Sequence, residues 1–414
     1  MQTKLYLTLC GCSLMLLAAK QTSAQKGMNS LYSSYGIGDL EDKDYSRNFG
    51  VGSAGIGRRS GNYLNELNPA SYSALPTQRF FFEVSGAGRM MQYSTSTYTQ
   101  SAGDLNFKKI AMGFKAAKPW GVSIGVTPFS NIDYKVLNTK YITGTPTGVR
   151  SAIEGSGGLT RAYFSNAVQL GKHFSVGLSG AFLFGNVTTT DSTGSTGASS
   201  DVFTENARSL RNFNLTSGLQ YSGRVGNMIL GAGLTYRMQT KLRSSQTFTI
   251  KDNSDNTYYE EDVRTSDYVI PAQYGAGLSL TNGRLTAVAD YKMADWAGKN
   301  SNESDYIYTK SQRVAGGLEY SFYKYYLNSR VEGLSLQLGA NYQNSYMKVK
   351  GQDIRDFGIT AGASLPAGST LRYYVGLEVG QRGTQNKGLI QENYLNIVFS
   401  LSMRDLWFFK RVEY

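Results

Sequence analysis

Apolar residues alternate with small or polar ones at a period of two along much of the chain. Phe174, Val176, Leu178, Phe182 and Phe184 are out of phase with Ser175, Gly177, Ser179 and Gly185. The same pattern runs through 228–241, 285–293, 334–343, 371–379 and 395–404. Successive side chains of a strand point to opposite faces, so each run predicts a strand with one apolar and one polar face. A soluble antiparallel sheet alternates too, but its strands average ~5–6 residues. These runs reach about 10, the length a tilted strand needs to cross a bilayer. Weaker runs at 79–93, 104–117, 120–136, 158–171, 208–223, 267–281, 308–322 and 353–366 bring the total to about fourteen, within the even-numbered range of outer-membrane barrels.

The connections sort by length. Short links fall at 118–120, 171–173, 223–227, 281–283 and 366–369, and long polar stretches at 94–103, 137–157, 186–207, 242–266, 298–307 and 381–391. The 322–333 and 349–352 links depart from the alternation. Outer-membrane barrels keep short turns in the periplasm and long loops outside. The expectation is an all-β protein, a transmembrane antiparallel β-barrel of about fourteen strands over 79–404, with both termini periplasmic. A basic tail, 405–414, carries Trp407, Phe408, Phe409 and Tyr414. Aromatic C-termini help the barrel-assembly machinery recognise such chains during biogenesis.

Composition agrees. The 414 residues include 30 Tyr and 47 Gly, well above soluble usage. Lys4, the apolar run from Leu5 to Ala19 and the small residues Thr22, Ser23 and Ala24 read as a signal peptide over 1–24. Cleavage there removes Cys10 and Cys12, both cysteines of the chain. Disulfides and thiol chemistry are then excluded. His173, the one histidine, falls at a short turn. Neither a metal site nor a Ser-His hydrolase fits, and no cofactor or enzymatic activity is expected. The net charge of +12 comes without a basic run or recognition module, so nucleic acid is not an expected partner. Outer-membrane lipid, lipopolysaccharide included, is a milder reading of the basic residues.

Residues 25–78 do not alternate, and about fifty irregular residues are too many for an ordinary loop. They lie in the periplasm or fold into the lumen as an N-terminal hatch or plug. Gly50, Gly52 and Gly55 match G-x-G-x-x-G, but without the βαβ context a dinucleotide site needs. They suit tight turns inside a barrel instead.

The run Arg47 to Gly57, followed by Asn65 to Tyr72 with Asn68-Pro69-Ala70 at its centre, resembles the hatch of the FadL/TodX family. Ser33 to Leu40 resembles the opening of FadL-like proteins common in Bacteroidetes, and Pro128-Phe129 resembles a Pro-Phe pair in the family's third strand. The resemblance implies a fourteen-stranded outer-membrane transporter of long-chain fatty acids and other hydrophobic compounds. It implies a hatch shaped by Asn68, Pro69 and Ala70 and lateral release at a kinked third strand. Pro128 suits that kink, because proline cannot donate a ladder hydrogen bond. Two alternatives stand beside transport. One is a barrel acting through protein partners, as relatives in type IX secretion do. The other is a diffusion pore for polar solutes. The polar faces carry Arg237, Lys241, Asp290, Lys292, Arg372 and Glu378, which either pair across the interior or line a channel.

Overall fold

The computed structural model describes residues 30–141, 148–194, 201–301, 305–326 and 329–407. The signal-peptide reading and most of the 405–414 tail lie outside them. Fourteen strands form the barrel: β1 (Arg79–Ser94), β2 (Thr99–Ala117), β3 (Trp120–Tyr141), β4 (Gly148–Leu170), β5 (Phe174–Gly194), β6 (Val202–Val225) and β7 (Met228–Arg237 and Thr240–Asp252). They continue as β8 (Thr257–Val263, Tyr268–Ile270 and Gln273–Asn282), β9 (Leu285–Asp295), β10 (Tyr306–Tyr308 and Lys310–Tyr326), β11 (Ser329–Val349), β12 (Gln352–Ala367), β13 (Leu371–Gly383) and β14 (Gln391–Leu406). Neighbours in sequence pair antiparallel. β14 closes on β1 from Gln391↔Ser94 to Leu406↔Arg79, so no edge is left at the join.

The phases are those of the sequence pattern. Leu105, Phe213, Leu338 and Val379 point outward and are 81%, 72%, 62% and 62% exposed, while Glu83, Gln220, Glu319 and Glu378 on the other phase are buried. Among the described residues no helix is long and apolar enough to cross a membrane. Three expectations need correction. Much of 137–157, 186–207 and 242–266 is strand rather than loop: β4, β5 and β6 run 23, 21 and 24 residues, against 11 for β9. A sheet that continues beyond the bilayer has water on its outer face and loses the apolar alternation that betrays it. Lys241 does not share a face with Arg237. The ladder breaks between Arg237 and Thr240, which are both buried, and Lys241 is left exposed. Finally, Ser30, the first described residue, hydrogen-bonds Glu392 at 2.9 Å near the long-loop end of β14, not at the short-turn end.

From Ser30 the chain runs through the barrel to Gln78, whose carbonyl accepts from Trp407 N–H at 3.0 Å beside the start of β1. It holds only short elements: 3-10 turns at Leu31–Ser34, Phe49–Val51 and Pro69–Ala74, and a two-residue strand at Asp39–Leu40. The interior is layered. An aromatic and aliphatic cluster around Trp296, Tyr268, Tyr308, Tyr346 and Ile37 fills the long-loop end. Charged residues fill the middle. Leu64, Tyr72, Leu75 and Phe81 pack toward the short turns.

Candidate functional site

Asn68 is fully buried and organises its surroundings through both ends of its amide. Its Oδ1 accepts Ala70 N–H at 3.0 Å, capping the Pro69–Ala74 turn. Its Nδ2 donates to Ile56 O at 3.0 Å, Leu219 O at 3.1 Å and Leu234 O at 3.4 Å. One side chain thus ties two parts of the N-terminal segment to β6 and β7. Pro69 opens the turn, where its missing N–H costs nothing. Pro69 and Ala70 rest on β5 and β6 because the wall offers glycine there. A Cβ at Gly177 would collide with the Ala70 amide, and one at Gly218 with Asn68 Oδ1 and Pro69.

Gly50, Gly52 and Gly55 meet the opposite wall. Gly50 N–H donates to Tyr374 Oη at 2.7 Å, and Gly52 N–H to Thr360 Oγ1 at 2.9 Å. Gly52 has φ of 72°, and a Cβ on it would strike the carbonyl of Ala340. Gly55 and Ile56 N–H both donate to the Asp290 carboxylate, at 2.6 and 2.9 Å. Gly55 and Ile56 therefore cradle a carboxylate of the protein itself, while Gly50 and Gly52 bond hydroxyls of the wall. Residues the motif search missed carry as much of the docking. Arg47 and Arg58 share Glu319, with Nη2 to Oε1 distances of 2.9 and 2.5 Å, and Arg47 also pairs with Glu332. Lys43 pairs with Glu378 at 2.7 Å, and Lys109 with Glu66 and Glu83 at 2.8 Å each. An acid on the polar phase of a strand was the available signal; its partner was not.

Pro128 and Phe129 lie where the wall parts. The β2–β3 ladder ends at Ile110↔Val126. Toward the long-loop end, β2 pairs with β1 and β3 with β4, but not with each other. The register of β3 on β4 shifts between Pro128 and Ser130, leaving Phe129 as a bulge, a feature that bends the strand. Residues of the N-terminal segment occupy part of the freed β3 edge. Asp39 and Leu40 pair with Asn131 and Ser130, and Glu41 N–H donates to Phe129 O at 3.0 Å. Beside this seam is a cavity of about 540 Å³, lined by Leu31, Tyr93, Tyr98, Ala102, Tyr134 and Leu137 among others. The mid-lumen cavity is smaller, about 90 Å³, and ionic, lined by Asp42, Glu66, Lys108, Arg161, Arg237 and Lys292 among others.

Burial pushes the carboxyls of Asp39, Glu41, Asp42 and Glu66 upward, but nearby cations outweigh it. Arg382 acts on Asp39, Lys108 on Glu41, Arg237 and Lys292 on Asp42, and Lys109 and Arg161 on Glu66; all four lie below the usual carboxylate range. A carboxyl lowered in the folded state stabilises it above the unfolded value of about 4 and loses that contribution as pH falls. Acidification from neutral pH to about pH 3 is therefore expected to loosen residues 30–78 before the barrel ladder. Protease cleavage within the segment, followed along a pH series, checks this. Equal resistance throughout would show that these ion pairs do not hold it.

The sequence matches the family model described as BamG over residues 7–412. The chain belongs to the BamG family. No curated protein matches this BamG-family chain in sequence. Among solved structures, it is similar to the toluene transporter TodX of Pseudomonas putida at 14% identity, with a TM-score of 0.63 over 90% of this chain and all of that one. It is also similar to a Pseudomonas aeruginosa FadL homologue at 13% identity, TM-score 0.58, over 87% of this chain and 98% of that one. The Ralstonia pickettii toluene transporter TbuX matches at 14%, TM-score 0.58, over 88% and 98%. At such identities the likeness establishes a shared barrel fold. His173 sits at the β4–β5 turn, its Nδ1 2.9 Å from Ser222 O. Among the described residues no cluster of three or more His, Cys, Asp or Glu suits a metal.

Proposed function

We propose that this BamG-family barrel carries hydrophobic small molecules across the outer membrane, fatty-acid-like compounds included, and releases them sideways between β2 and β3. The observation that carries the reading is the ladder that stops at Ile110↔Val126 beside a cavity of about 540 Å³ whose lining is largely apolar, with Asp133, Lys135 and Glu154 among its polar residues. A hydrophobic ligand gains nothing from the ionic mid-lumen, whose buried charges are costly to leave unpaired. The seam offers it apolar contact and a route toward hydrocarbon. Pro128 and Phe129 set the gate by bending β3, while Asn68, Pro69, Ala70 and the glycines at 50, 52 and 55 keep the hatch seated. Fold likeness to toluene transporters and a FadL homologue supports the same class of cargo.

Filling the cavity with Ala102→Trp is expected to cut co-purifying hydrophobic ligand by about tenfold or more. Native mass spectrometry of the detergent-exchanged barrel reads this, and heat-modifiable migration confirms the fold. Full ligand occupancy in the variant would remove the seam from the path.

A second reading, a subunit of the barrel-assembly machinery, is favoured by the family's description and by a lumen packed with protein. Gentle solubilisation separates the two. A stable complex with assembly proteins and no bound small molecule favours this second role.

A further inference from the structure

At the long-loop end, the outer surface of the wall sets two arginines side by side. Arg211 on β6 and Arg243 on β7 are direct cross-strand partners. Both are exposed. Both face outward, since the adjacent Leu210 and Leu242 are buried on the inner phase. Like charges directly opposite on a sheet repel. Lys241 shares their face and is also exposed. Among the described residues none of the three makes an ion pair. Asp267, next in register to Arg243 beyond the Tyr268↔Leu242 pair, makes none with it either.

Toward the bilayer the same surface turns apolar. Phe213 is 72% exposed and its ring lies 5.0 Å from that of Phe182. Below it the wall is indented by a groove of about 600 Å³, lined by Leu219, Leu234, Tyr236, Tyr274, Ala276 and Met293 among others. The rings of Tyr236 and Tyr274 are 5.2 Å apart. Ser217, the β6 partner of Tyr236, lies six residues from Arg211 on an unbroken strand, about 20 Å at the strand rise, a span that one lipid covers. The cations and the groove are thus spaced like the head and tail of one lipid.

We propose that Arg211, Arg243 and Lys241 bind the phosphate of a phosphorylated glycolipid of the outer leaflet, lipopolysaccharide, with an acyl chain in the groove below. A groove that opens onto hydrocarbon takes a membrane lipid, and the unpaired cations select an anionic one. Arginine's planar fork matches a phosphate bidentately. The long-loop end is the end that faces the leaflet in which this glycolipid lies. The site is on the opposite surface of the wall from the hatch, so it stands or falls independently of the seam.

The test titrates the purified full chain with three probes: rough-type lipopolysaccharide, the same glycolipid dephosphorylated, and phosphatidylglycerol. Bound lipid is counted by native mass spectrometry. Dephosphorylation is expected to weaken binding by about tenfold or more. The double substitution Arg211→Gln with Arg243→Gln should cause a loss of similar size. Ala276→Trp, which fills the groove, should also weaken binding, with heat-modifiable migration unchanged in every variant. Equal affinity of the double variant for lipopolysaccharide would overturn the proposal. So would phosphatidylglycerol binding as tightly as lipopolysaccharide, because the site would then be a general phospholipid contact.

Discussion

Replacing Glu319 with leucine should destabilise the folded protein by about 3–5 kcal/mol, the usual cost of removing one partner of a buried ion pair. Glu319 is 3% exposed and serves two arginines of the N-terminal segment. Its Oε2 also accepts from Arg47 Nε at 3.1 Å, and Gln337 donates to the same atom. Without it, Arg47 keeps Glu332, while Arg58 keeps only the 3.3 Å contact of its Nη1 with Asn48 Oδ1 and the face of Tyr63. A guanidinium cannot shed its charge to escape burial. The local response is therefore to expel the segment around residues 47–58 toward water. Thermal unfolding in detergent and protease mapping of residues 30–78 measure the two effects. Combining Glu319→Leu and Glu332→Leu with Arg47→Met and Arg58→Met removes both acids and both arginines and should recover much of the loss, since a buried ion cluster replaced as a whole by apolar residues is often neutral. A single variant as stable and protease-resistant as the parent would show that the pair is hydrated rather than buried.

That cluster marks the boundary of what the sequence makes legible. Strand count and facing follow from a local signal: Leu334, Leu336 and Leu338 sit one position apart from Ser335, Gln337 and Gly339, and bilayer outside with protein inside converts that into two faces. The register shift beside Pro128 is legible for the same reason, because a missing N–H is a property of one residue. Arg47 and Glu319 are 272 positions apart, and nothing local selects that acid over the others on the polar phase. The upper parts of β4 to β7 are hidden for another reason. With no hydrocarbon beside them they need no apolar face, so Thr188, Thr189 and Thr190 read as loop although the strand runs through them. The break at Met238 and Gln239 shifts the phase by one residue. That slip turns Lys241 from an interior charge into part of an outward cation cluster.

The glycines of the polar phase can be read in the sequence without their purpose, and they give the last prediction. Gly218→Val is expected to unseat residues 30–78 while leaving the barrel closed. The new Cβ would collide with Asn68 Oδ1 and lie 2.8 Å from Pro69 Cδ, closer than real Cβ contacts come. β6 cannot yield, because it is hydrogen-bonded to β5 and β7 on both sides at this level. The N-terminal segment can yield, since it is held there largely by the three carbonyl contacts of Asn68 and by the turn that Asn68 caps. Losing the cap alone costs about 1 kcal/mol, and the amide donors lose their partners as well. Gly180→Val is the matched control, because a Cβ there meets nothing within 4 Å. Gly218→Val should therefore gain protease cleavage within residues 30–78 and ion conductance in planar bilayers. Gly180→Val should gain neither, and both should keep heat-modifiable migration. A silent, resistant Gly218→Val barrel would mean that Asn68-Pro69-Ala70 does not rest on this wall and that the lumen is closed by the ionic middle layer and the aromatic cluster above it.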